Sequence, residues 1–137
     1  MDDSDHWGQV VSEIAVDPER FGPDGLVGLA GFSHVEVVFV FDRTTERSDY
    51  TIARPSRGRS DLPAVGVFAD RGPRRPNRIG TTTCQVIDVK ACTLQVRGLD
   101  ALDGSPILDL KPVMRQLLPE SVRQPAWVDS LMSRYLA

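Results

Sequence analysis

The sequence predicts a mainly β protein: a small antiparallel β-barrel carrying a C-terminal helix and short loop helices. Three observations carry that prediction. The apolar runs are short and rich in β-branched residues, glycine and proline punctuate them at close intervals, and no helical period of apolar residues alternates with them before residue 125. The same pattern argues against a doubly wound nucleotide-binding sheet.

Residues 9–16 form the first run, which ends at Asp17-Pro18, where the proline ring removes a ladder donor. Phe21-Gly22-Pro23-Asp24-Gly25 and then Gly28 read as loop. Residues 32–41 follow, with an apolar core at 35–41 that predicts an interior strand covered on both faces. Between Arg43 and Pro63 the chain is polar and arginine-rich, and reads as a long loop or a weakly paired excursion. Such loops often carry function. A short buried strand is expected at 65–69, a hairpin from 81–89 and 93–97 around Lys90-Ala91-Cys92, and a last strand at 107–110. From Pro125 onward Trp127, Val128, Leu131, Met132, Tyr135 and Leu136 fall on one helical face, predicting a helix within 122–137. That stripe packs on its own domain or against a second subunit.

The chain of 137 residues, 41% hydrophobic and 26% charged, is expected to fold as one domain across 1–137. No run approaches the roughly 20 apolar residues of a spanning helix, and the acidic start Met1-Asp2-Asp3-Ser4-Asp5-His6 is unlike a signal peptide. A soluble, cytoplasmic protein is the expectation, with no membrane partner. Cys84 and Cys92 lack ligand spacing, and His6 and His34 are the only histidines, so neither a metal site nor a Ser/His/Asp triad is expected.

Charge is distributed unevenly. Residues 1–42 hold nine acids against Arg20, a net of -8, whereas residues 43–78 hold nine arginines against Glu46, Asp49, Asp61 and Asp70, a net of +5. The planar arginine fork suits phosphate and carboxylate. The plainer reading of the arginines is a solvated loop; the sharper is an anion site for nucleic-acid phosphates.

Two clusters stand out. In residues 66–80 a short apolar stretch enters a turn with Gly72, Pro73, Pro76 and Asn77 that would fix the backbone while presenting Arg71, Arg74, Arg75 and Arg78. In residues 99–112, Asp100, Asp103 and Asp109 lie among apolar positions, either as turn caps or as groups facing a ligand cation.

Together these clusters resemble one family. Gly31-Phe32-Ser33-His34 leads into the strand ending at Phe41; then come Gly66-Val67-Phe68-Ala69, Arg71, Arg75-Pro76-Asn77 and Ile79-Gly80. Leu99-Asp100, Asp103-Gly104, Pro106, Asp109 and Lys111-Pro112 complete the set. In this order, over residues 28–112, they are similar to the TsaA-like, TrmO-type methyltransferases that use S-adenosylmethionine to modify tRNA. The resemblance implies a small β-barrel working as a homodimer and, as in bacterial members, methylation of N6 of threonylcarbamoyladenosine beside the anticodon. It implies cofactor contacts at Phe41, Asp42, Arg71, Thr81, Asp100, Ala101, Leu102 and Asp103. Arg74, Arg75, Asn77, Arg78, Asp109 and Lys111 are the expected substrate-binding residues.

The chain departs from the family pattern at Asp42, where His is usual, at Asp70 and Gly72, where Thr and Ser are usual, and at Arg78, where Pro is usual. Residues 1–27 show no counterpart of the family's Ser-Pro turn and Pro-x-Gln contact, and the extra C-terminal domain of many bacterial members has none either. Two alternatives stand beside the tRNA reading: a small-molecule methyltransferase of the same fold, and an inactive cofactor- or RNA-binding module. Asp42, Asp103, Asp109 and the substrate's own carboxylate are the candidate proton acceptors; no catalytic base is singled out.

Overall fold

The computed structural model describes residues 6–45, 47 and 49–135. In chain order the elements are β1 (Val11–Ala15), α1 (Pro18–Phe21), β2 (His34–Val40), β3 (Arg54–Pro55), β4 (Ala64–Val65), β5 (Ile79–Lys90), β6 (Thr93–Arg97), β7 (Ile107–Pro112) and α2 (Ala126–Leu131). Five strands form one antiparallel sheet in the order β1-β6-β5-β2-β7, and β3 pairs only with β4. No helix is long and apolar enough to cross a membrane among the described residues.

β2 lies inside the sheet, as its two-sided apolar pattern predicts. Val35, Val37 and Phe39 face the core with 0–1% exposure, and Val38 and Val40 are half-buried on the other side. Around them pack Ile14, Leu26, Cys84, Leu94, Val96 and Leu99. Each large side chain withdrawn in this way is worth about 1.5–3 kcal/mol, which is why the sheet holds without long helices. β5 is long enough to serve two ladders: Ile79 to Gln85 pair with β2, and Gln85 to Lys90 pair with β6. The expected hairpin turn is two residues, Ala91 and Cys92, with Ala91 at φ 51°.

The expected barrel is not found closed. The ladders end at β1 and β7, and no pairing joins these two edges among the described residues. β1 stops after five residues because Asp17 turns to cap α1, accepting from Glu19 N at 2.9 Å, with Pro18 in the first turn. β7 ends on Pro112, which has no N–H to offer.

Two further expectations change. The strand predicted at 65–69 ends at Val65, and Val67–Ala69 is a 3-10 turn closed by Ala69 N donating to Gly66 O at 3.0 Å. Val67 is buried there, but Phe68 stands 84% exposed. The C-terminal helix is six residues long and does not fill 122–137: Pro125 gives it no side-chain cap, and beyond Met132 the carbonyls of Arg134 and Tyr135 accept from His6 N and Trp7 N at 3.0 and 2.8 Å. Trp127, Val128, Leu131 and Tyr135 of the predicted stripe are half-buried and Met132 is exposed; Leu136 and the acidic start at 1–5 lie outside the described residues.

Candidate active site

Strand order brings the sequence clusters together. Val40 pairs with Ile79, and Phe39 pairs with both Gly80 and Ile107, so the end of β2 and the starts of β5 and β7 share one end of the sheet. The loops attached there are 41–44, 66–78 and 98–106. They contain every predicted site residue except Thr81, Asp109 and Lys111, which sit on the adjoining strands.

The floor of this end is aromatic. The rings of Phe39 and Phe41 meet edge to face, 5.1 Å between centroids at 74°. A Cβ at Gly80 would stand 2.6 Å from Phe41 Cζ and 2.7 Å from Phe39 Cζ, so only glycine lets both rings lie across β5. Phe41, half-buried, is thereby fixed in place, and its backbone N donates to Arg78 O at 2.7 Å.

Above the floor, Arg71 Nη2 donates to both the carbonyl and Oγ1 of Thr81, at 3.0 and 2.9 Å. Its Nε and Nη1 make no hydrogen bond among the described residues, which leaves one edge of the fork open to a carboxylate. Asp100 is half-buried and accepts from Thr82 Oγ1 at 2.5 Å. Burial raises its carboxyl above the ordinary value, against the opposing pull of the Thr82 hydroxyl and the Arg71 charge. Cys84, two residues along β5, is pushed up to about 12 by burial and by the negative charge of Asp100, so its thiol stays neutral. Arg43 then ties two loops together by donating from Nη2 to Asp103 O.

Residues 3–117 match the family model of the tRNA-methyltransferase O N-terminal domain. The chain belongs to this family. It is 36% identical over 101 residues to a human tRNA (adenine(37)-N6)-methyltransferase, covering 73% of this chain and 22% of that protein. It is also 36% identical over 105 residues to an S-adenosyl-L-methionine-binding protein of Archaeoglobus fulgidus, covering 77% of this chain and 70% of the relative. A crystal structure of TrmO from P. aeruginosa superposes with a TM-score of 0.68 at 28% identity, over 90% of this chain and 50% of that one. The chain thus spans under a quarter of the human relative and half of the solved TrmO.

Within the family frame, the unusual residues of this chain have visible structural work. Asp70 accepts from Gly72 N at 3.2 Å, closing a local turn. Arg75 Nη1 donates to the carbonyls of Asp70, at 2.5 Å, and Gly72, at 3.3 Å, so it braces that turn from inside. Arg78 stands at φ 52°, a backbone that the usual proline cannot adopt, and its Nη1 donates to Thr44 O at 3.0 Å. Arg75 and Arg78, both expected as substrate contacts, are therefore engaged in holding loops. Arg74 and Asn77 are exposed, and Arg74 makes no hydrogen bond among the described residues. Asp42 is exposed in the turn after β2.

Not every predicted residue joins this cluster. Asp109 and Lys111 lie on β7 paired with each other, Lys111 Nζ to Asp109 Oδ2, and Leu110 N donates to Asp109 Oδ1 at 2.9 Å. Ala101, Leu102, Asp103 and Asp109 line instead a broad open cavity of about 1250 Å³ between β1 and β7, which Arg71, Thr81 and Asp100 do not touch. His34 is at the opposite end of β2, its Nδ1 2.6 Å from Ser33 Oγ. Among the described residues no three His, Cys, Asp or Glu side chains converge on a metal position. Sequence reasoning missed Thr82 and Arg43. Thr82 was open to detection, since it shares the inward face of β5 with Cys84.

Proposed function

We propose that this chain binds S-adenosylmethionine at the loop-bearing end of the sheet and methylates tRNA, at N6 of threonylcarbamoyladenosine beside the anticodon. The observation that carries the reading is the convergence of the family's three motif segments at one end of the sheet, with Arg71 held on Thr81 and half-buried Asp100 on Thr82, the next residue of β5. The cofactor's chemical pieces match that donor set: a carboxylate for Arg71, a cationic sulfonium for the acidic and carbonyl-rich 100–103 stretch, and a purine against the exposed side of Phe41.

S-adenosylmethionine supplies an electrophilic methyl group. The chain's residues position and shield it. Thr81 fixes the direction of the Arg71 fork, so little orientation remains to be lost on binding. Asp100 and the carbonyls of its turn place negative potential where positive charge must be held before transfer. The acceptor nitrogen must also lose a proton. His34 is a whole seven-residue strand away, about 20 Å, and cannot take it. Asp109 is committed to Lys111 and Asp100 to Thr82, which leaves Asp42, Asp103 or the substrate's own carboxylate.

The wider proposal is that the chain acts as one TsaA-like domain, in the cytoplasm, as a homodimer. Exposed Leu117, Leu118 and Val122 after β7 support a subunit contact. A barrel-like curl of the sheet is supported by β1 and β7 both lining one cavity. The test is methyl transfer from labelled S-adenosylmethionine to tRNA carrying threonylcarbamoyladenosine, with calorimetry of cofactor binding alongside. Transfer together with binding supports the reading. Cofactor binding without transfer to, or salt-sensitive binding of, tRNA points to the small-molecule alternative, and no cofactor binding overturns the proposal.

A further inference from the structure

The most exposed large apolar side chain among the described residues is Phe68, at 84%, and it does not belong to a loose loop. Its neighbour Val67 is buried at 6% and anchors the 3-10 turn, which the Ala69 N to Gly66 O hydrogen bond closes. Downstream the same loop is braced by Arg75 on the Asp70 and Gly72 carbonyls and by Arg71 on Thr81. A rigid backbone therefore holds a phenyl ring out in water, three residues before the open fork of Arg71. Arg74, also exposed and without a hydrogen bond among the described residues, projects from the same loop. The surrounding segment, 43–78, carries a net charge of +5.

An aromatic ring held rigidly within a basic segment is how proteins bind unpaired nucleotides: the charge attracts the backbone and the ring offers a face to a base. A duplex hides its base faces, whereas an anticodon loop exposes them. From this geometry we infer that Phe68 is a stacking platform for an unpaired base of the tRNA anticodon loop, with Arg74 on the adjoining phosphate. This rests on the tRNA reading above and adds the residues that would hold the RNA while the target base enters the site.

The experiment uses the full chain, an anticodon stem-loop RNA as probe, and the variants Phe68→Ala, Phe68→Trp and Arg74→Ala. Phe68→Ala should weaken RNA binding roughly 5- to 100-fold, and Phe68→Trp should retain it. The salt slope separates the two roles: Phe68→Ala leaves it unchanged, since a phenyl releases no counterions, whereas Arg74→Ala flattens it by about 0.7. S-adenosylmethionine affinity and thermal stability should not move in Phe68→Ala. Equal RNA affinity in wild type and Phe68→Ala overturns the inference and leaves the tRNA reading intact. Loss of dimer mass in Phe68→Ala with RNA binding unchanged overturns it too, by making the ring a protein contact. If wild type binds no RNA while still binding cofactor, the tRNA reading fails and takes this inference with it.

Discussion

The loop-bearing end of the sheet and the open seam between β1 and β7 are built in opposite ways. At the loop end the side chains are tied: Arg71 to Thr81, Asp100 to Thr82, Arg43 to Asp103, Arg78 to Thr44. The seam is an open cavity of about 1250 Å³ lined by β1, β7 and parts of the loops around them, with Glu13, Asp17, Arg20, Asp103 and Asp109 among its charged groups. Volume and chemistry therefore do not coincide here. A cofactor of mixed charge needs fixed partners more than room, and the proposed site draws on the tied side chains of the loop end.

The largest expected effect comes from breaking the floor. Phe39→Ala should cost about 3–5 kcal/mol in urea unfolding, because a side chain 1% exposed leaves a cavity behind. Leu108→Ala on the seam, where the side chain is 55% exposed, should stay within about 1 kcal/mol. Similar losses from both would erase the contrast between the two regions.

Cofactor binding sharpens it next. Arg71→Ala should reduce S-adenosylmethionine affinity by about 1–3 kcal/mol in calorimetry, the range of a charge-assisted hydrogen bond inside a site. Unchanged affinity in this variant, set against a loss in Leu108→Glu on the seam, would move the binding site to the seam cavity.

The two cysteines contrast the sheet core with the turn between β5 and β6. With its thiol raised to about 12, Cys84 in the core stays protonated at the pH of the reaction, and it is buried as well. Cys92, half-buried with Sγ 3.8 Å from Gly22 O, should alkylate first in the native protein, and Cys84 only on unfolding. Mass spectrometry of a timed iodoacetamide reaction distinguishes the two orders.

The gentlest test is a pH profile. Burial lifts the Asp100 carboxyl above 3.8 in the folded state, so folding favours its neutral form. That contribution is fully present below pH 3.8 and is lost as pH rises through the folded value. Asp100→Asn should therefore gain stability on wild type at neutral pH and match it in acid, while binding cofactor less well. A variant less stable than wild type at neutral pH would show that the Asp100 charge stabilises the fold.

Much of the sheet was legible because its strands are apolar and β-branched, which leaves little choice for residues such as 35–39. The motif segments that meet at one end of the sheet stood out for a different reason: turn residues at fixed spacing, as in Asp103-Gly104, mark positions that chain geometry must satisfy. Partner choice was less legible. Nothing in the residues around Arg78 distinguishes a guanidinium aimed at solvent from one folded onto the Thr44 carbonyl, because that depends on a loop 34 residues away, and Arg75 turns onto the Asp70 carbonyl only because the intervening turn folds back on itself. Phe68 was hidden by its setting, since Val65-Gly66-Val67-Phe68-Ala69 looks like a buried strand until Gly66 opens a turn. The end of the C-terminal helix depended on His6 and Trp7, far away in sequence.

One residue of surplus chain has an outsized consequence. Val38 pairs with Asp109, but Phe39 pairs with Ile107, so Leu108 is an extra tooth on β7 with no counterpart on β2. Every residue upstream of it meshes one notch away from where simple alternation would set it, including the stretch that delivers Asp100 to Thr82. Removing Leu108 would let the two strands engage evenly, with Ile107 still opposite Phe39 and on its face. The bulge thus absorbs one residue of surplus chain at an exposed position, 55% open to water, so that Ile107 and the loop before it keep their face while the strand is one residue longer than its partner.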